Sequence, residues 1–214
     1  MYVPLIVALL ANGTAYYGSR LLTGDAVHLD MTTPLDERIP VLPWTVSIYF
    51  GCYAFWVVNY IIGSRQDKQS AYRFLSADFL AKIICLVIFL LLPTTNVRPE
   101  IAGSSVWDEL MRFLYRTDAA DNLFPSIHCL TSWFCFLAVR ENKAVPRWYR
   151  WVSLGITVMI CLSTLTTKQH VIWDVVAGVA LAEGSFWIVH RTGFEKWYRY
   201  AMIRINRRIR RKEE

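Results

Sequence analysis

The chain has 214 residues, 55% of them hydrophobic and 14% aromatic, and a formal net charge of +6. Its length suits one domain, but its apolar residues fall in long runs that a soluble core does not require and a bilayer does, since a hydrocarbon core of about 30 Å needs about 20 apolar residues per helix. In a soluble protein the positive charge would point to nucleic acid; here it lies between and after the apolar runs, which argues against a nucleic-acid partner and for anionic lipid.

Six helical spans are predicted in chain order, over residues 3–22, 44–63, 73–93, 124–140, 149–166 and 170–190. The expected fold is therefore all-α, a polytopic six-transmembrane-helix bundle over 1–190 followed by a basic cytoplasmic juxtamembrane tail at 191–214. Residues 3–22 read as a retained helix rather than a cleaved leader, because no basic residue precedes the apolar stretch and no small-x-small site precedes Arg20. The loop at 23–43 places Asp25, Asp30, Asp36 and Glu37 among Pro34, Pro40 and Pro43, and reads as an irregular, solvated acidic segment. In the third span Asp78 and Lys82 stand four apart and can pair, with Glu183 of the sixth expected at a comparable depth. A structural polar cluster is the plain reading of these three, and an ion or proton pathway the sharper one.

The loop at 94–123 holds a capping box, Ser105 with Asp108, ahead of Trp107, Leu110, Met111 and Leu114 at helical spacing, which predicts a short amphipathic helix lying in the outer interface. All five cysteines fall inside spans, where they act as small apolar fillers; no disulfide framework or zinc signature follows. The tail interleaves Arg204, Arg207, Arg208, Arg210, Arg211 and Lys212 with Ile203, Ile205 and Ile209. It is expected to rest on anionic lipid headgroups, each basic residue contributing about 1 kcal/mol near the surface. No feature fixes an oligomeric state. Sixteen of the 23 basic residues lie after the second, fourth and sixth spans, so the positive-inside rule makes both termini cytoplasmic and the opposite face of the bundle extracytoplasmic.

That opposite face carries the chemistry. His128 follows Pro125-Ser126-Ile127 at the start of the fourth span, and His170 opens the sixth, with Asp174 four residues on. Polar groups at the lip of a span are costly and mark function by default. His170 and Asp174 share a helix face, so the carboxylate can hold one ring nitrogen and leave the other as nucleophile or base. The Ser126 turn enters a helix N-terminus, whose unpaired N–H groups and positive dipole end suit phosphate. Asn122 and Ser126 can add donors, and Arg98 and Lys168 are cations on the same side. The plain alternatives are helix capping for Ser126, Asn122 and His128, and interface anchoring for Arg98 and Lys168.

These residues resemble the type 2 phosphatidic acid phosphatase (PAP2) superfamily of membrane lipid phosphatases and phosphotransferases, whose motifs are Lys-x6-Arg-Pro, Pro-Ser-Gly-His and Ser-Arg-x5-His-x3-Asp. Arg98-Pro99 closes the first, with Leu91 at the lysine position; Ile127 stands for the glycine of the second; Ser163-Thr164, five residues, His170, three residues and Asp174 form the third, with Thr164 at the arginine position. The departures are similar to the branch that includes inositol phosphorylceramide and sphingomyelin synthases. The resemblance implies a PAP2-type six-helix fold and His170 as a nucleophile that becomes phosphohistidine. It makes Asp174 the group that orients His170, and His128 the acid and then the base. The phosphate would be held by Ser126 with its neighbouring N–H groups, by Arg98 and Lys168, and by Asn122, with neither metal nor other cofactor. The expected activity is hydrolysis of a lipid phosphomonoester or pyrophosphate. Transfer of a phospho-headgroup to a lipid alcohol is the alternative, and a small channel or transporter the minor one.

Overall fold

A computed structural model describes residues 2–210. Arg211 and Lys212 of the predicted tail lie outside the described residues. Ten α-helices account for most of the described chain. The first helical run comprises α1 (Tyr2–Gly13), a π-helical turn (Thr14–Gly18) and α2 (Ser19–Thr23); α3 (Pro34–Arg38) and a 3-10 turn (Pro43–Thr45) then lead into α4 (Val46–Ser64). After these come α5 (Lys68–Leu91), α6 (Val106–Thr117), α7 (Ile127–Arg140), α8 (Arg147–Thr166), α9 (Ile172–Thr192) and α10 (Phe194–Arg210). A two-residue parallel pair, β1 (Leu29–Asp30) with β2 (Thr94–Thr95), ties the first loop to the segment after α5.

Helices occupy all six predicted segments. Four, at Pro43–Ser64, Lys68–Leu91, Arg147–Thr166 and Ile172–Thr192, are long and apolar enough to cross a membrane. Their ends follow local chemistry. α5 begins five residues before the predicted span because the Asp67 side chain accepts the N–H groups of Gln69 and Ser70, capping a polar first turn. α9 stops at Gly193, whose φ of 70° glycine alone adopts without strain.

α7 has only 14 residues, and its surroundings account for that. It packs on α4, α8 and α9, while α5 packs on α1, α9 and α10. Most of α7 is buried, including Leu130, Phe134 and Cys135, so it is covered by other helices rather than by lipid. All five cysteines are free and buried. Between α5 and α7 the Lys82 ammonium donates to the Thr131 hydroxyl (2.5 Å) and pairs with Asp78 (3.4 Å), which accepts from Tyr60 (2.7 Å). Glu183 does not join this cluster: it accepts from Arg140 (2.6 Å) and Trp133 (2.9 Å) near the end of α7. Asp78 and Lys82 thus form a closed internal pair that joins helices.

The first loop and the two amphipathic segments make specific contacts. The acidic loop at 23–43 is not simply solvated. A capping box between Thr33 and Asp36 starts α3. The buried Asp36 carboxylate then accepts the Ile172 N–H (2.8 Å), capping the distant helix α9. The amphipathic helix exists as α6, with the Ser105–Asp108 capping box in place, but Met111 and Leu114 pack against Val46 and Tyr49 of α4. The described part of the tail is a helix that docks: Tyr198 and Met202 of α10 are buried against the bundle.

Candidate active site

Two turns build the site. In the first, a cis Phe124–Pro125 bond leads to Ser126, whose hydroxyl accepts the Cys129 N–H (3.2 Å) and starts α7, placing His128 in its first turn. Thr94 of β2 anchors the approach by accepting the N–H groups of Leu123 and Phe124 (2.9 Å each). In the second, α8 ends and the Thr164 carbonyl accepts the N–H groups of Gln169 (2.9 Å) and His170 (3.1 Å). The Asp174 carboxylate then accepts the Val171 N–H (3.0 Å) and faces His170 Nδ1 (3.2 Å).

The turns are joined through backbone. Ser126 N–H donates to the Asp174 carbonyl (3.0 Å). One helical turn below, Gly178 lets α9 approach the α7 N-terminus so closely that a Cβ there would stand 2.7 Å from the Ser126 carbonyl oxygen. The result brings the rings of His128 and His170 to 5.9 Å between centroids, both lining a cavity of about 230 Å³.

The tautomers follow from the partners. Asp174 accepts from His170 Nδ1, so Nδ1 carries a proton and in the neutral ring the lone pair lies on Nε2. The Tyr49 hydroxyl, buried against the His128 ring, gives its only hydrogen to Asp118 (2.8 Å) and therefore meets His128 Nδ1 (3.3 Å) as an acceptor. Nδ1 of His128 thus carries the proton, and its buried Nε2 has no hydrogen-bond partner among the described residues.

Around the histidines lie further polar groups. Arg98 donates to the Asp118 carbonyl, the Ala119 carbonyl (3.2 Å) and Gln169 Oε1 (2.7 Å), and covers the Tyr115 ring. Burial holds its guanidinium below the ordinary arginine value, only partly offset by Asp118. Burial pushes the Asp118 carboxyl upward, but His128, the phenols of Tyr16 and Tyr49, and Arg98 outweigh it, and its pKa falls below the ordinary carboxylate value. Arg98 Nε, Gln169 Nε2 and Asn122 Oδ1 are buried at this same cavity without partners among the described residues, the signature of a site shaped for a polar ligand.

The predicted residues fall into three groups. His128, His170, Arg98 and Asn122 line the cavity, with Asp174 directly behind His170; Asn122 donates to Ser19 (3.0 Å) and sits at a φ of 50°. Ser126 is fully buried as a cap beneath the cavity. Lys168, at a φ of 52°, turns its ammonium to the Asp36 carbonyl (2.6 Å) in a second cavity of about 480 Å³ on the other side of His170. Tyr49, Asp118, Gln169, Asp36 and Gly178 were not foreseen. Asp118, just past α6 and ten residues before His128, had a polar identity as its only signal, and Tyr49 had none within an apolar span.

At the two positions where the motif cations differ, Leu91 is exposed at the end of α5, and Thr164 is buried with its hydroxyl on the Cys161 carbonyl (2.7 Å). No curated protein matches the chain. The family model described as the PAP2 superfamily matches residues 22–188, which contain both histidines, Asp174 and Arg98. The paired turns and the membrane helices that carry them therefore belong to a protein of the PAP2 superfamily.

Proposed function

We propose that this membrane protein is a lipid phosphatase that hydrolyses a phosphomonoester or pyrophosphate lipid through a phosphohistidine. The observation that carries the reading is the pair of histidines lining one cavity, His170 backed at Nδ1 by Asp174 and His128 with its Nε2 unengaged among the described residues. In the first half-reaction His170 Nε2 attacks phosphorus while the bond to the leaving oxygen breaks, and protonated His128 gives its Nε2 proton to that oxygen. In the second, His128 Nε2 takes a proton from water as the water oxygen attacks phosphorus and the P–N bond breaks. Phosphate is released and both histidines return to their starting states. Arg98, Gln169 and Asn122 line the same cavity and would meet the phosphate, with Ser126 setting the helix start beneath it. Lys168 belongs to the phosphate site only if its contact with Asp36 is exchanged.

In this reading all six helical segments span the bilayer, both termini are cytoplasmic, the cavity faces the extracytoplasmic side, and α6 lies at the outer interface. Basic α10 rests on anionic headgroups of the inner leaflet. A second reading, transfer of a phospho-headgroup to a lipid alcohol, is favoured by Leu91 and Thr164, which leave Arg98 as the single motif cation. One guanidinium suits a singly charged phosphodiester better than a doubly charged monoester, and His128 would then deprotonate an alcohol instead of water.

Phosphate release by the detergent-purified protein from phosphatidic acid, phosphatidylglycerol phosphate and polyprenyl pyrophosphate, with EDTA present, tests the first reading. Release is expected to vanish in His170→Ala, and full release by that variant, correctly folded, would end the proposal. A wild-type protein inert on all three yet active with a phospholipid donor and a lipid alcohol would establish the second reading.

A further inference from the structure

We infer that Asp118, acting through the Tyr49 phenol, is a positioning residue for His128, so that each histidine of the site is backed by its own carboxylate. This rests on the proposed roles of His128 as acid and base. Asp174 meets His170 directly, whereas Asp118 reaches His128 through one hydroxyl: Nδ1 to Tyr49 at 3.3 Å, then Tyr49 to the Asp118 carboxylate at 2.8 Å.

The surroundings leave that path without a competitor. Tyr49 and Trp56 of α4 flank the His128 ring, at 4.5 and 5.4 Å between centroids, and Tyr53 meets it edge-on. The Trp56 N–H is committed to Ser132 (2.8 Å), and His170 is committed to Asp174. The Tyr49 oxygen is the one hydrogen-bond partner of His128 Nδ1 among the described residues. Asp118 is held from three directions: Tyr16 donates to its other carboxylate oxygen, its N–H closes α6 onto Leu114 (2.9 Å), and Arg98 grips its carbonyl. Its carboxylate makes no ion pair among the described residues. Arg98 binds the backbone oxygen instead, so the negative charge stays available to His128.

The chain orients and balances the proton cycle. With Tyr49 accepting at Nδ1, His128 presents Nε2 to the cavity in both protonation states. Uptake of a proton at Nε2 makes an imidazolium that Asp118 stabilises through the phenol. Loss of that proton to the leaving oxygen regenerates the Nδ1–H tautomer, whose Nε2 lone pair then takes the proton of the attacking water. In Asp118→Asn the amide can donate to the Tyr49 oxygen, which redirects the phenol hydrogen to His128 Nδ1 and moves the histidine proton to Nε2. Wrong-tautomer substitutions of this kind leave geometry intact while removing activity.

The test uses Asp118→Asn, Tyr49→Phe and the double variant of the full chain, with kcat/KM measured on two probes. Phosphatidic acid leaves as an alkoxide and needs a proton; p-nitrophenyl phosphate leaves as a stabilised phenolate and does not. Asp118→Asn is expected to lower kcat/KM on phosphatidic acid by about 10²- to 10³-fold and on the aryl ester by less than about tenfold. The alkaline limb of the phosphatidic acid profile should move to lower pH. The double variant should be no worse than the worse single, because both act on one path. Equal losses on both probes, or losses that multiply in the double variant, would reduce Asp118 to a structural tie and overturn the inference. Tyr49→Phe keeps the Tyr16 contact of Asp118 and carries the comparison if Asp118→Asn misfolds. His170→Ala on the same probes separates the levels: activity retained there defeats the phosphohistidine reading itself, whereas loss there with uniform losses at Asp118 defeats only the relay.

Discussion

Gly178→Ala probes the joint between the two turns that carry His128 and His170. The added Cβ would stand 2.7 Å from the Ser126 carbonyl oxygen and 3.3 Å from both Cys129 Cβ and Leu130 N. Two of these three atoms are backbone and cannot rotate away, so α7 and α9 must separate by roughly 0.5 Å to restore ordinary contact. Overpacking of this kind costs about 1–3 kcal/mol. The Ser126 N–H bond to the Asp174 carbonyl, 3.0 Å in the native protein, is strained as well, at about 0.5–1.5 kcal/mol. A loss of about 2–4 kcal/mol corresponds to a fall on the order of 5–15 °C in apparent Tm for a chain of this size. Activity should fall further than stability alone dictates, because the same movement separates His128 from His170, and a displacement of about 1 Å costs on the order of 100-fold. Thermal denaturation in detergent, paired with phosphate release well below Tm, reads both. An alanine variant equal to the native protein in both would refute the claim that this approach of backbones sets the distance between the histidines.

Asp36→Ala removes the acceptor of the Ile172 N–H and should destabilise the protein by about 0.5–2 kcal/mol, seen as a lower apparent Tm; the Lys168 contact, which uses the Asp36 carbonyl, should persist. Lys82→Met leaves Asp78 buried without its counter-charge and should cost about 3–5 kcal/mol, whereas Lys82→Met with Asp78→Asn should regain most of it, as a double-variant cycle of denaturation would show. Because the Asp118 carboxyl titrates below its ordinary value in the folded protein, its ionised form contributes stability above that ordinary value of 3.8 and loses it as pH falls through the lower native value. Apparent Tm scanned through this acid range should fall less steeply in Asp118→Asn than in the native protein.

Much of this was readable from short-range pattern. The apolar runs located the long helices because hydropathy is local, and the ends differed where caps and turns set them: Asp67 extends α5 beyond its apolar stretch, whereas α7 starts only at the Ser126 cap and α9 only after the turn at His170. His170 and Asp174 were legible as a pair from their spacing of four, although α9 begins only at Ile172 and His170 stands in the turn before it, so the capping Asp174 carboxylate rather than a shared helix face meets the ring. What escaped depends on distant contacts. Tyr49 reaches Asp118 across 69 positions and Asp36 reaches Ile172 across 136, and neither partner carries a spacing that announces the other. Lys168 stands two residues from His170 in sequence, but at its φ of 52° its ammonium meets the Asp36 carbonyl of the first loop, a contact that no spacing announces. Gly178 has no sequence signal of its own, because its role depends on the Ser126 backbone that lies against it.

The backbone bond from Ser126 to Asp174, with Gly178 beneath it, has a consequence for life in membranes of differing thickness. Helices meet a thicker or thinner bilayer by tilting, and side chains on their outer faces set how far. Here the bond between the two helix starts would give any tilt a pivot beside the histidines, letting α7 and α9 splay at their far ends while His128 and His170 keep their separation. Trp173, Val176 and Trp187, exposed along α9, would then be free to match the surrounding lipid without moving the two histidines.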